Sequence, residues 1–150
     1  MAKIIVPAKL ESLSVLNQFI TKHIPENYKQ ILPKIELALE ELIVNIYSYA
    51  YTEANKNEEQ DTTSNMYGKA EVTCYVAQIE EESFFCISIC DEGKPFDPFS
   101  EVAIPDISLD VEERPIGGLG LFLIKSFVKY YSYRYIDNKN TVELCFDLSS

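Results

Sequence analysis

The chain has 150 residues, a length that suits one domain with a real core, and 47% hydrophobic with 25% charged residues is the composition of a soluble globular protein. Its formal net charge of −11, from 24 Asp and Glu against 13 Lys and Arg, argues against nucleic acid as a direct partner, because neutralising phosphates takes clustered cations. No apolar run reaches the roughly 18 residues that span a bilayer, and the start MAKIIVPAKLE is charged too soon for a secretory signal, so a cytoplasmic protein is expected.

KIIVPA (3–8) is a short β-run, and Leu10, Leu13, Leu16, Phe19 and Ile20 then recur at helical spacing. A second helix is expected from about Gln30 to Ala50, where Ile35, Ala38, Leu39, Leu42, Ile43 and Ile46 make a broad apolar face. TEANKNEEQDTTSN (52–65) is polar and aperiodic, a solvated loop. KAEVTCYVAQIE and SFFCISICDE read as strands joined through EES into a hairpin. Residues 93–117 hold Pro95, Pro98, Pro105 and Pro115 without periodicity, and so long a loop inside a compact domain is usually functional. GLGLFLIKSFVKYY is a third helix. SYRYID, the turn NKN and TVELCFDL close the chain as a second hairpin. Hairpins beside helices predict an α+β two-layer sandwich: a mixed, mainly antiparallel sheet with three helices on one face, in a single domain spanning 1–150.

Cys74, Cys86, Cys90 and Cys145 all fall in strand-like runs. Cys86 and Cys90 share a strand face, but at ~3.3 Å per residue they stand about 13 Å apart, too far for one metal or one disulfide. Reduced, packed thiols are expected. His23, the single histidine, sits in TKHIPEN, a helix end before a proline, where a cation suits the helix dipole.

Three features point to chemistry. In FFCISICDE the set Phe85, Ile87, Ile89, Asp91 shares one face and is the more apolar, so Asp91 either aims a carboxylate between sheet and helices or caps the turn with Gly93. In RPIGGLGLFLIKS the glycines open directly into a helix, as an anion site or as a hinge. It is no P-loop, since no Gly-Lys-Ser/Thr follows. Glu41 and Asn45 stack one turn apart on the second helix, with Tyr49 a turn further on. Together these describe a pocket in which a carboxylate suits a base amino group, glycine N–H groups suit phosphates and an Asn oxygen suits Mg²⁺.

Glu-x-x-x-Asn on a helix, Asp-x-Gly at a strand end, a proline-bearing loop and Gly-Gly-Leu-Gly on a helix, in that order, resemble the Bergerat ATP-binding fold of the GHKL superfamily, which includes DNA gyrase and sensor histidine kinases. ELIVNIYSYAY, DEGKPFDPF and GGLGLFLIKSF look closest to its single-domain branch, the bacterial anti-sigma factor serine/threonine kinases, over about residues 5–148. The resemblance implies ATP and Mg²⁺ as cofactors. Asn45 would bind the Mg²⁺, and Glu41 would be the general base. Asp91 would take the adenine amino group, with Gly93 and Phe96 beside the ring. Gly117, Gly118, Leu119 and Gly120 would meet the phosphates under a 94–116 lid, and Arg114 would meet the γ-phosphate or a partner.

Tyr49 stands where close relatives often have His, and Pro95 where many have a second glycine, though Phe96 and Asp97 keep the pattern. The late Gly-Thr pair near adenine reads here as Lys139-Asn140, with Thr141 adjacent; either Asn140 or Thr141 is the substitute. The implied function is phosphorylation of a seryl or threonyl residue on an anti-sigma-factor antagonist, with a sigma factor as a further partner, regulating transcription by partner switching. An ATP-sensing binding module with little turnover is the alternative. A sensor histidine kinase is disfavoured, because no helical dimerisation domain is present and His23 lacks a phosphoacceptor context. A homodimer through an outward Phe84/Cys86/Cys90 face is the oligomer to expect.

Overall fold

The computed structural model describes residues 1–51, 68–101 and 118–148. Strand β1 (Ala2–Pro7) leads through a 3₁₀ turn (Leu10–Ser12) to α1 (Leu13–His23), and a second 3₁₀ segment (Glu26–Ile31) leads to α2 (Leu32–Asn45). Then come β2 (Lys69–Ile79), β3 (Glu82–Asp91), a one-turn helix (Pro98–Glu101), α3 (Gly118–Phe127), β4 (Tyr130–Ile136) and β5 (Lys139–Phe146). The sheet order is β1-β2-β3-β5-β4, and every pairing is antiparallel.

One apolar layer joins the helices to the sheet. Leu16 and Ile20 of α1, Ile35, Leu39 and Ile43 of α2, and Leu121 and Ile124 of α3 meet Val72, Phe85, Ile87, Ile89, Val142, Leu144 and Phe146. Each such side chain contributes roughly 1.5–3 kcal/mol by leaving water, so α2 remains anchored while carrying polar groups along one edge. The predicted parity of β3 is observed: Phe85, Ile87 and Ile89 face the helices, and Asp91 ends their series, buried.

Four local readings change. The second helix is three segments, because Pro33 near its N-terminus suits a helix start and not an interior position. After Asn45 the helix widens into a π-helical turn, Ile46–Ala50, closed by the Tyr51 N–H donating to the Ile46 carbonyl at 2.9 Å. Tyr130 and Tyr131, expected in the third helix, belong to β4. The hairpin turns are the dipeptides Glu80-Glu81 and Asp137-Asn138, all four at positive φ (51–74°), which is the twist a two-residue hairpin requires. The NKN turn is therefore displaced by one residue, and Lys139 and Asn140 pair within β5.

The reduced-thiol reading is corrected for two of the four cysteines. Cys86 and Cys145 are disulfide-bonded across β3 and β5, where they are direct register partners, Cα–Cα 4.1 Å. Spacing along one strand excluded Cys86–Cys90 but said nothing of a cross-strand neighbour. Cys74 and Cys90 remain thiols. Of the expected dimer face, Phe84 and Cys86 are fully buried in a small outer cluster with Cys145, against Tyr75 and Ala77, with the Tyr130 ring edge-on to Phe84, and Cys90 is half-buried. His23 does end α1, its ring 4.8 Å from that of Phe19. Among the described residues no helix is long and apolar enough to cross a membrane.

Candidate nucleotide site

The ends of β3 and β5 meet α2 and its π-helical turn around a small cavity. Asn45, Ile46 and Ala50 line it from the helix, Ile89, Asp91, Asn140 and Val142 from the sheet, and Phe96 and Pro98 from the loop after β3. Asp91 is only 3% exposed. Its Oδ1 accepts the Gly93 N–H at 2.9 Å and Asn140 Nδ2 at 2.9 Å. Burial nevertheless prevails, pushing the carboxyl up to about 6; the hydrogen bonds from Asn140 and Gly93 oppose it, and the charge of Glu92 adds to it.

Asn45, 2% exposed, has an Nδ2 without a hydrogen-bond partner. An amide buried with an open polar end is costly unless a ligand completes it. That orphaned group suits the expected Mg²⁺ and phosphates, since turning the amide over presents its oxygen instead. One turn earlier, Glu41 is half-buried, and its carboxyl is raised first by burial and then by the Glu40 charge. It rests on α3: a Cβ placed on Gly120 would lie 2.0 Å from Glu41 Cδ and 2.3 Å from its Oε1. Glu41 thus sits against the first turn of α3, where the unpaired N–H groups of the helix are.

Gly93 serves a packing purpose as well. A Cβ there would fall 2.5 Å from the Ala50 carbonyl oxygen and 2.7 Å from Ala50 Cβ, and the Lys94 N–H donates to that same carbonyl at 3.1 Å. The obstacle is backbone, so Gly93→Ala is expected to destabilise the protein by roughly 1–3 kcal/mol. Urea denaturation checks this, and unchanged stability would contradict the packing account. Tyr51 braces the same junction, its hydroxyl donating to the Lys69 carbonyl and accepting the Glu92 N–H.

The loop beyond Gly93 folds back over the cavity. Phe96 stacks on Tyr49 with ring centroids 4.7 Å apart and 10° between planes. Asp97 Oδ1 accepts the Phe99 N–H at 2.9 Å, an N-cap for the one-turn helix that starts at Pro98. Asn140 holds the loop from β5, accepting the Phe96 N–H at 3.0 Å. Thr141 lies on the other sheet face, since Asn140, Val142 and Leu144 alternate toward the helices and Cys145 packs outward. The structure therefore brings Asn140 to the cavity and leaves Thr141 out of it. Glu41, Asn45, Asp91, Gly93, Phe96 and Gly120 are grouped at this end of the sheet, and Gly118 and Leu119 open α3. Arg114, Gly117 and most of the 94–116 lid lie outside the described residues.

The sequence model of the histidine kinase-like ATPase domain matches residues 6–146. The chain belongs to that family. Its α+β architecture, a five-stranded antiparallel sheet carrying helices, is that of the Bergerat fold. No curated protein matches the chain. Membership makes this an ATP-binding domain of the GHKL type. The residue that sequence reasoning left undecided within it is Asn140. Strand parity from Val142, Leu144 and Phe146 was the available signal, masked by the turn-like composition of NKN.

Proposed function

We propose that the protein is an ATP-dependent serine/threonine protein kinase of the anti-sigma-factor type, transferring the γ-phosphoryl group of ATP to a hydroxyl on an antagonist protein. The observation that carries this reading is the Glu41 carboxylate seated against Gly120 at the start of α3, one turn from the open amide of Asn45. A site built only to hold nucleotide needs no raised carboxyl there. Asp91 takes the adenine amino group, and the N–H groups of Gly118, Leu119 and Gly120 face the phosphates. Asn45 is the residue that would hold Mg²⁺, which when bound neutralises phosphate charge.

In the transfer, the bond from the γ-phosphorus to the bridging oxygen of ADP breaks as the seryl or threonyl oxygen bonds to phosphorus, and Glu41 accepts the hydroxyl proton. Catalysis of this kind is mostly positioning and electrostatics. The acidic chain suits a basic partner surface such as that of a sigma factor. An ATP sensor is the second reading, favoured by the Phe96–Tyr49 stack: the cavity beneath it, about 20 Å³, admits a water and no purine, so the loop must move as nucleotide enters. The test is incubation with γ-labelled ATP, Mg²⁺ and a purified anti-sigma-factor antagonist protein. Label on a seryl or threonyl residue of the antagonist is expected. ATP binding without label on protein would leave the sensor.

A further inference from the structure

Asn140, the second residue of β5, lies directly opposite Asp91 and is 3% exposed. Its amide is committed at both ends. Nδ2 donates to Asp91 Oδ1 at 2.9 Å and to the Lys94 carbonyl at 2.8 Å, while Oδ1 accepts the Phe96 N–H at 3.0 Å and the Tyr133 hydroxyl. These partners settle which way the amide points, because turned over it would set its oxygen against two acceptors and its NH₂ against the Phe96 donor. No N–H of Asn140 remains for a ligand. Asp91 Oδ1 is already engaged by Asn140 and Gly93, so among the described residues Asp91 Oδ2 is the carboxylate oxygen left without a protein donor.

We infer that Asn140 is a positioning residue for base selection: by spending both N–H groups on Asp91 and Lys94, it holds Asp91 as an acceptor-only edge that takes a 6-amino purine and rejects a 6-oxo purine. The inference rests on the reading of Asp91 as the adenine contact. A 6-oxo purine would bring its carbonyl oxygen against a carboxylate oxygen with no proton between them, a mismatch that discriminates strongly when buried. Without the Asn140 amide, the Asp91 carboxylate loses one of its two restraints and can rotate, and the segment 94–96 loses its ties to β5. The preference, and not only the affinity, then falls.

The test measures Kd for ATP and for inosine triphosphate by calorimetry in wild type, Asn140→Leu, Asn140→Thr and Asp91→Asn. Wild type is expected to favour ATP by roughly 100-fold. Asn140→Leu should cut that preference by about tenfold or more, whereas Asn140→Thr, whose hydroxyl can still donate to Asp91, should keep most of it. Equal weakening of both nucleotides in Asn140→Leu, with the ratio unchanged, would overturn the assignment as a merely structural role. If Asp91→Asn also leaves the ratio untouched, the Asp91 reading falls and takes Asn140 with it. If Asp91→Asn removes the preference and Asn140→Leu does not, only the Asn140 assignment falls. Asn140→Ala, which leaves room for a water, gives the same test should the leucine variant not fold.

Discussion

Asp91→Asn is expected to weaken ATP binding on the order of 100-fold while making the protein more stable at neutral pH. Both effects follow from one buried charge. Burial raises the Asp91 carboxyl from its ordinary value near 4 to about 6. A carboxyl raised on folding binds its proton more tightly in the folded state. Its contribution to stability is therefore complete below pH ~4 and is lost as pH rises through about 6. Two pH units correspond to about 3 kcal/mol. The asparagine oxygen can keep the hydrogen bonds from Gly93 and Asn140, and no charge has to be buried. The stability of the variant relative to wild type should thus grow between pH 4 and 7, by up to about 3 kcal/mol, in paired denaturation curves. An unchanging difference across that window would show that Asp91 is not titrating there. Nucleotide binding runs the other way. On the proposed reading, the oxygen that would accept from the adenine amino group becomes an NH₂ facing another donor, so ATP affinity should drop on the order of 100-fold. For the same reason wild-type affinity should decline below pH 6, as the carboxylate takes up its proton. A buried charge that lowers the stability of the fold is common at functional sites.

Local periodicity made the scaffold legible, and long-range pairing hid the details. Ile35, Leu39, Leu42 and Ile43 mark the buried face of α2 because helical spacing is a property of the segment itself. Phe85, Ile87 and Ile89 give the orientation of β3 for the same reason, and with it the aim of Asp91. The π-helical turn after Asn45 carries no comparable mark, since a closing bond to residue i−5 instead of i−4 depends on how Tyr51 is anchored by Lys69 and Glu92. The Cys86–Cys145 bridge needs the β3–β5 register, which joins residues 59 apart in sequence. Asn140 was obscured by its own chemistry. Asn is a turn residue by preference, yet positive φ at Asp137 and Asn138 already completes the turn and sends Asn140 into the sheet.

Gly120→Ala is expected to leave the protein as stable as before and to slow phosphoryl transfer by on the order of 100-fold. The added methyl would collide with Glu41 Cδ, Oε1 and Cγ, all atoms of one flexible, half-buried side chain and none of them backbone, so Glu41 yields by rotating and the helices stay in place. Alanine is also favoured over glycine inside a helix by up to about 1 kcal/mol, which offsets the residual strain. What changes is where the carboxylate sits, and a base displaced by even an ångström loses most of its effect. Glu41→Gln removes the proposed base and keeps the shape, so it should slow transfer at least as much while ATP still binds. The decisive comparison is the double variant. If Gly120 acts by seating Glu41, the double variant should be no slower than Glu41→Gln alone, because both changes remove the same function. If Gly120 acts only by giving its N–H to phosphate, the losses should multiply and ATP affinity should fall with them. The raised carboxyl of Glu41 adds a second readout, since the acid limb of the rate profile should lie above the ordinary glutamate range in wild type and vanish in Glu41→Gln.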